Sequence, residues 1–253
     1  MSSTDGPGHI LENVKVWTHC RITKTWTSEL SLIYRENTFF THGGMRLAYR
    51  AWHVNSGDWA ENPMVLKVEI ENGGRTMENA QYDVLTQSKC INYAIKYNNN
   101  NAVPKQVTYV ESQMVEFLYG DFEGQFGTLE RFLEGNYFKH NNADPLRNGY
   151  AITPRNTPQA FTHFTFEDSG RREMVVDIQG VGDVYTDPQI FTMHGEGDGR
   201  ADWGPVGIAG FFLNHKCNAI CRALKLAPIN PTDYDIGTQP VNVRTQPLQQ
   251  YGY

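Results

Sequence analysis

Near the end of the chain, His215, Cys217 and Cys221 place one imidazole and two thiols within seven residues. Zinc favours four nitrogen or sulfur ligands in a tetrahedron, so this set is one donor short. Cys217 and Cys221 stand four apart and are expected on one face of a helix. His215 lies about 200° from Cys217 around a continuous helix, so all three reach one ion only if the helix starts after His215 or breaks there. His163 ends an apolar stretch that should be buried, and is the upstream histidine best suited to complete the set. Two buried cysteines beside an incidental histidine would give the same spacing. The other cysteines, Cys20 and Cys90, stand alone.

A second set is Val175-Val176-Asp177-Ile178-Gln179-Gly180-Val181-Gly182-Asp183, followed by Thr186-Asp187-Pro188. Read as one strand, Asp177 and Gln179 leave the same face at its end. A carboxylate and an amide oxygen there, with the Asp187 carboxylate following, suit Mg²⁺, a hard ion that prefers oxygen. Asp183 and Asp187 would also serve as ordinary turn residues. A carboxylate inside Val-Val-Asp-Ile is harder to dismiss, because a buried charge needs a partner.

Lys67 sits mid-strand, opposite an apolar face of Leu66, Val68 and Ile70, where it could hold phosphate as a point charge or simply be solvated. Gly43-Gly44, before the strand that carries Arg46, could turn backbone N–H groups toward an anion. Gly199-Arg200-Ala201-Asp202-Trp203-Gly204 is a G-x-A-x-x-G loop, weak on its own. The sequence holds no G-x-x-x-x-G-K-[ST], H-E-x-x-H, H-R-D or D-F-G, so a P-loop NTPase, a zincin or a conventional protein kinase is not supported.

These residues need elements to position them. Alternation predicts strands at Gly43–Arg50, Met64–Ile70, Gln106–Val110, Met114–Leu118 and Thr128–Phe132. Helical spacing of Val84, Ile91 and Ile95 predicts a helix over Met77–Tyr97, stopped by the asparagines that follow. A loop should cover Asn136–Pro158, with a helix leading to His163. Phe164–Phe166 and Glu173–Gln179 then read as a hairpin pair about Asp168-Ser169-Gly170. One helix or a helix pair fits Val206 to about Leu226, and the tail from Pro228, with Thr-Gln-Pro twice, reads as a flexible extension. The first 32 residues are weakly patterned and read as a segment apart. The whole is an α+β chain, bilobal with a cleft, its β-rich first lobe at about 33–130 and its mixed second lobe at about 131–226.

The chain has 253 residues and a formal charge of −6, with 40% hydrophobic and 20% charged residues. That is enough apolar material for a core and too little charge for general disorder. The acidic balance argues against nucleic acid or an anionic membrane as the main partner. A zinc-dependent nucleic-acid module is disfavoured on the same ground. No apolar run approaches the roughly 20 residues of a membrane span, and the first residues lack a signal peptide's basic and apolar regions. A cytoplasmic protein with reduced cysteines is expected.

Taken in order, Gly-Gly-Met-Arg-x-Ala-Tyr, Val-Leu-Lys67, Leu-Glu130-Arg-Phe-Leu-Glu-Gly-Asn-Tyr, Asn-Thr-Pro-Gln-Ala-Phe-Thr-His163, Val-Asp177-Ile-Gln179-Gly-Val-Gly-Asp-Val-Tyr-Thr-Asp187 and His215-Lys-Cys217-Asn-Ala-Ile-Cys221 resemble the alpha-kinases. This is the atypical protein kinase family of the elongation factor 2 kinase and myosin heavy chain kinase type, and the likeness covers roughly Phe39 to Leu226. The resemblance implies a bilobal kinase-like fold and a Ser/Thr protein kinase, threonine-directed by family habit. A catalytically silent, zinc-stabilised scaffold of the same fold is the alternative. It further implies that Lys67 and Arg46, beside Gly43 and Gly44, contact the phosphates of ATP, and that Glu130 lies where adenine binds. Gln179 and Asp187 would hold Mg²⁺, and Asp177 would orient or deprotonate the acceptor hydroxyl. His163, His215, Cys217 and Cys221 would hold a structural zinc, and Gly199, Ala201 and Gly204 would belong to a loop that engages the protein substrate. Phe138-Lys139-His140-Asn141-Asn142 departs modestly from the family's Tyr-Asn-rich stretch. No basic amphipathic helix precedes Phe39, so a calmodulin-binding segment is not expected.

Overall fold

The structure, a computed structural model, describes residues 8–143, 152–195 and 201–230. Two compact units divide the chain: Met1–Ser88 with Val110–Phe132, and Lys89–Tyr109 with Leu133–Tyr253. The tail expected to be flexible lies outside the described residues from 231 onward, as do its Thr-Gln-Pro repeats.

In the first unit the strands are β1 (His9–His19), β2 (Trp26–Glu36), β3 (Thr41–His42), β4 (Arg46–His53) and β5 (Met64–Glu69), before helix α1 (Met77–Asn98). β6 (Thr108–Tyr109) belongs to the second unit, and β7 (Ser112–Phe117) and β8 (Phe126–Arg131) return to the first. The sheet order is β2-β1-β7-β8-β5-β4-β3, and β2 also pairs with β4, so the sheet curls back on itself. One face packs Val14, Val16, Ile33, Tyr49, Leu66, Val68, Val115, Phe117 and Leu129 into a core.

Residues before 33, expected to stand apart, instead form an eleven-residue antiparallel ladder with register His9↔Glu36 to His19↔Trp26. Their pattern looked weak because only alternate residues of half of each strand are buried, and two of those are charged: Glu12, Val14 and Val16 in β1, Ile33 and Arg35 in β2. Ile70, expected on the buried face of β5, is 42% exposed, because the strand ends at Glu69. In α1 the buried stripe runs Ala80, Val84, Gln87, Ile91 and Ala94, widened by Cys90 and Tyr97, which leaves Ile95 outside.

The second unit adds β9 (Tyr137–Lys139), α2 (Asn156–Asp168), β10 (Glu173–Val176), β11 (Gln179–Val181), β12 (Val184–Thr186), β13 (Gln189–Thr192), α3 (Gly204–Asn214) and α4 (Ala219–Ala223). β10 pairs with β13, and β6-β12-β11-β9 form a four-stranded sheet. Phe164–Phe166 lie inside α2, so the expected hairpin is a helix followed by β10: Phe161 and Phe164 stand three apart, as neighbours on a helix do, and Phe164 and Phe166 leave opposite sides of it. β10 is covered on both faces. Val175 joins Tyr97, Phe161 and Tyr185 in one cluster, while Met174 and Val176 join Phe166, Phe191 and Phe211 in another. Among the described residues, no helix is long and apolar enough to cross a membrane.

Candidate active site and metal centre

β5 carries Lys67 on the face away from Leu66 and Val68. Its Nζ lies 2.7 Å from Oε1 of Glu130, and both side chains are largely buried. Glu130 on β8 stands opposite Val65, so Lys67 reaches it diagonally across the strand pair. Gln87 of α1 donates through Nε2 to the other Glu130 oxygen at 3.1 Å and to the Val110 carbonyl at 2.8 Å. Arg46 Nη1 lies 2.9 Å from Asp83 Oδ2, joining β4 to α1. Gly43 donates its N–H to the Arg46 carbonyl at 2.9 Å, so that group closes the β3–β4 turn rather than facing an anion.

In the second unit the expected single strand through Asp177 and Gln179 is broken. β10 stops at Val176, Asp177 takes a left-handed backbone with φ of 58°, and β11 begins at Gln179. A bend lets a buried strand deliver its next carboxylate to a new direction, which two residues of one pleat could not do. Gln179 donates through Nε2 to Asp177 Oδ2 and to the Asp187 backbone carbonyl, both at 3.1 Å. Asp187 is also left-handed, with φ of 54°, and one of its carboxylate oxygens is buried. Lys139, which pairs with Gln179 across β9 and β11, brings Nζ within 2.6 Å of Asp177 Oδ1. The three residues named from sequence therefore meet at one corner. Lys139 is an addition that strand register supplies and that a modest departure from a motif did not reveal.

Behind the corner, Asn141 is fully buried and accepts the N–H of Ile178 on Oδ1 at 2.8 Å. His140, also buried, donates its backbone N–H to the Ile178 carbonyl at 2.7 Å. Its ring Nδ1 lies 2.8 Å from Thr153 Oγ1, and burial lowers its pKa below the ordinary histidine value, Arg155 adding to the effect.

His163 on α2, His215 at the C-terminal cap of α3, Cys217 and Cys221 converge, their ligand atoms all within 4.8 Å of one another. The helix does break at His215, whose backbone is extended; Cys217 precedes α4 rather than sharing its face with Cys221. Contacts are 3.2 Å from His163 Nδ1 to His215 Nε2, 3.7 Å from Cys217 Sγ to His163 Nδ1, and 3.5 Å from Cys221 Sγ to His215 Nε2. A tetrahedral ion with Zn–N of about 2.0–2.1 Å and Zn–S of about 2.3 Å spaces its donors about 3.3–3.8 Å apart, so the four residues fit zinc. Burial lowers both imidazoles to about 4, which keeps them in the neutral form that ligates. The same burial raises the thiols, Cys221 to about 11, a penalty that a bound cation would reverse.

Of the glycine loop, Gly199 lies outside the described residues. Asp202 accepts from the Thr192 N–H and hydroxyl at 2.9 and 2.6 Å and from the Gly204 N–H at 2.9 Å, binding Ala201's end of the loop to β13 and α3. Gly204 is left-handed, φ 59°, and a Cβ there would stand 3.0 Å from Gly195 Cα, so glycine is required.

A two-unit α+β chain with this corner and this Cys/His cluster defines a class. The profile of the Alpha-kinase family matches residues 41–221, and the chain belongs to that family. It is 40% identical over 219 residues to Alpha-protein kinase 1 of Dictyostelium discoideum, covering 85% of this chain and 16% of that protein. It is 37% identical over 236 residues to human Eukaryotic elongation factor 2 kinase, covering 90% of this chain and 31% of the relative. The chain thus spans under a third of these relatives. Among solved structures, the inactive alpha-kinase domain of myosin heavy chain kinase A in complex with ATP superposes with a TM-score of 0.77 at 29% identity, covering 86% of this chain and 99% of that one. The same domain with AMP-PNP gives 0.77 at 28%, covering 90% and 98%.

Proposed function

We propose that this chain is an ATP-dependent protein kinase that transfers the γ-phosphate to a Ser or Thr hydroxyl of a protein, threonine being preferred. The observation that carries the reading is the corner where Asp177, Gln179 and Asp187 meet, in a member of a family with ATP-bound relatives. Phosphoryl transfer asks a protein mainly for positioning and charge stabilisation. Lys67, held by Glu130, and Arg46, held by Asp83, supply cationic groups for the phosphates, with Glu130 at the nucleotide's base end and the Gly43-Gly44 turn alongside. Gln179 through its amide oxygen and Asp187 through its carboxylate would hold Mg²⁺, which when bound screens the charge of the transferring phosphates. Asp177 orients the acceptor hydroxyl and takes its proton. Gly199, Ala201 and Gly204 contribute to the loop that meets the protein substrate. Zinc on His163, His215, Cys217 and Cys221 does no chemistry, since four protein ligands leave no open position. The net charge supports a protein rather than nucleic acid or membrane as partner, and a reducing cytoplasm keeps the thiols available.

The test is labelling of a threonine-rich helical peptide with γ-labelled ATP and Mg²⁺. Asp177→Ala should lower the rate by at least about 100-fold. Undiminished labelling by that variant would overturn the assignment.

A further inference from the structure

Asp177 has a left-handed backbone, φ 58°, and the peptide that follows it is hydrogen-bonded into the protein. That peptide ends in the N–H of Ile178, and its orientation is the ψ angle of Asp177. The N–H donates to Asn141 Oδ1 at 2.8 Å, and the Ile178 carbonyl accepts from the His140 N–H at 2.7 Å. Asn141 is itself fully buried and held from the far side: its Nδ2 donates to Thr162 Oγ1 at 3.0 Å and to Gln159 Oε1 at 3.3 Å, both on α2. Residues in sparsely populated backbone regions persist only where their surroundings over-determine them. We propose that Asn141 is a positioning residue for phosphoryl transfer, clamping the Asp177–Ile178 peptide to α2 so that the Asp177 carboxylate faces the acceptor. This rests on the kinase reading above. It adds a residue that touches neither nucleotide nor acceptor and acts only through Asp177.

The substitution pair that isolates the role is Asn141→Leu, which fills the space without an acceptor, and Asn141→Asp, which keeps the acceptor and can take a proton-donating contact from Thr162. A misplaced catalytic group costs about 100-fold, so Asn141→Leu should lower kcat by that order while KM for ATP and for peptide stays within about 2-fold. Asn141→Asp should recover most of kcat even though burying its charge lowers Tm. Hydrogen exchange at the Ile178 amide reads the clamp without any assay of activity: protection should vanish in Asn141→Leu and survive in Asn141→Asp. If kcat follows Tm across both variants, or KM rises in place of the fall in kcat, Asn141 is merely structural. If wild type is inactive but exchange behaves as stated, the clamp stands and the kinase reading fails. Retained Ile178 protection in Asn141→Leu overturns the clamp itself.

Discussion

Lys67 and Glu130 form an ion pair whose two members are unequal in what their loss leaves behind. Lys67→Met removes the cation from a buried carboxylate that Gln87 still contacts, and should cost about 3 kcal/mol of stability as well as activity. Adding Glu130→Gln removes the stranded charge, so the double variant should regain most of that stability while remaining inactive. Chemical denaturation of Lys67→Met, Glu130→Gln and the double variant checks this, and an additive result would deny the coupling. Sequence type and spacing pointed to Lys67, Asp177, Gln179, Asp187 and the four residues of the Cys/His cluster. They could not pair Lys67 with Glu130 or Asp177 with Lys139, because both contacts depend on which strands lie side by side. His140 makes a second prediction. Burial lowers its pKa below 6.5, so the folded chain binds its proton less readily than the unfolded chain. The stability tied to neutral His140 is therefore whole above pH 6.5 and is lost as pH falls below that value toward the depressed folded one. His140→Phe should flatten the fall in stability between pH 6.5 and lower values, by at most about 1.4 kcal/mol per pH unit, the weight of one proton. His163 and His215 are present in both proteins, so the difference isolates His140; equal slopes would acquit it.

At the scale of elements, what escaped the sequence is where regular structure is interrupted. Val175 to Gln179 reads as one apolar run, yet the left-handed Asp177 splits it into β10 and β11. The aromatic run in α2 reads as a strand because Phe164 and Phe166 alternate, while the fuller spacing of Ala160, Phe161 and Phe166 belongs to a helix buried on several sides. The break at His215 was legible, since three donors cannot share an ion around an unbroken turn. That break brings the His163, His215, Cys217 and Cys221 donors together, so that a bound zinc would link α2, α3 and α4. α4 has only five residues, capped by Asn218 accepting from the Ile220 and Cys221 N–H groups, too short to hold itself without tertiary support. Elemental analysis should return about one zinc per chain. Stripping it with a strong chelator at neutral pH should lower Tm and expose the cluster of Phe166, Phe211 and Phe212 to a hydrophobic dye. Cys217→Ser should reproduce the loss. A metal-free preparation with unchanged Tm would refute the structural role.

For the molecule as a whole, the family match begins at residue 41, yet the first unit's sheet begins at His9. β1 lies between β2 and β7, with Val14↔Phe117 to Trp17↔Met114 as its second ladder, and β2 closes the sheet onto β4 through Ile33↔His53 to Arg35↔Ala51. Removing both strands would uncover β7 and β4 and take Val14, Val16 and Ile33 from the core that backs Leu66 and Val68. It would also remove Glu12 and Arg35, a buried pair 2.6 Å apart whose guanidinium lies over Phe122 and Tyr49. Each lost core side chain costs about 1.5–3 kcal/mol, against a total stability of about 5–15 kcal/mol for a domain. A chain begun at residue 37 should therefore fail to fold in its first unit, although it contains every residue the family profile matches and every residue assigned here to ATP. A chain begun at Gly8 should fold and label peptide as the full sequence does. Circular dichroism melting and the labelling assay on the two chains decide it, and a cooperative, active protein beginning at residue 37 would mean that the hairpin only decorates the sheet.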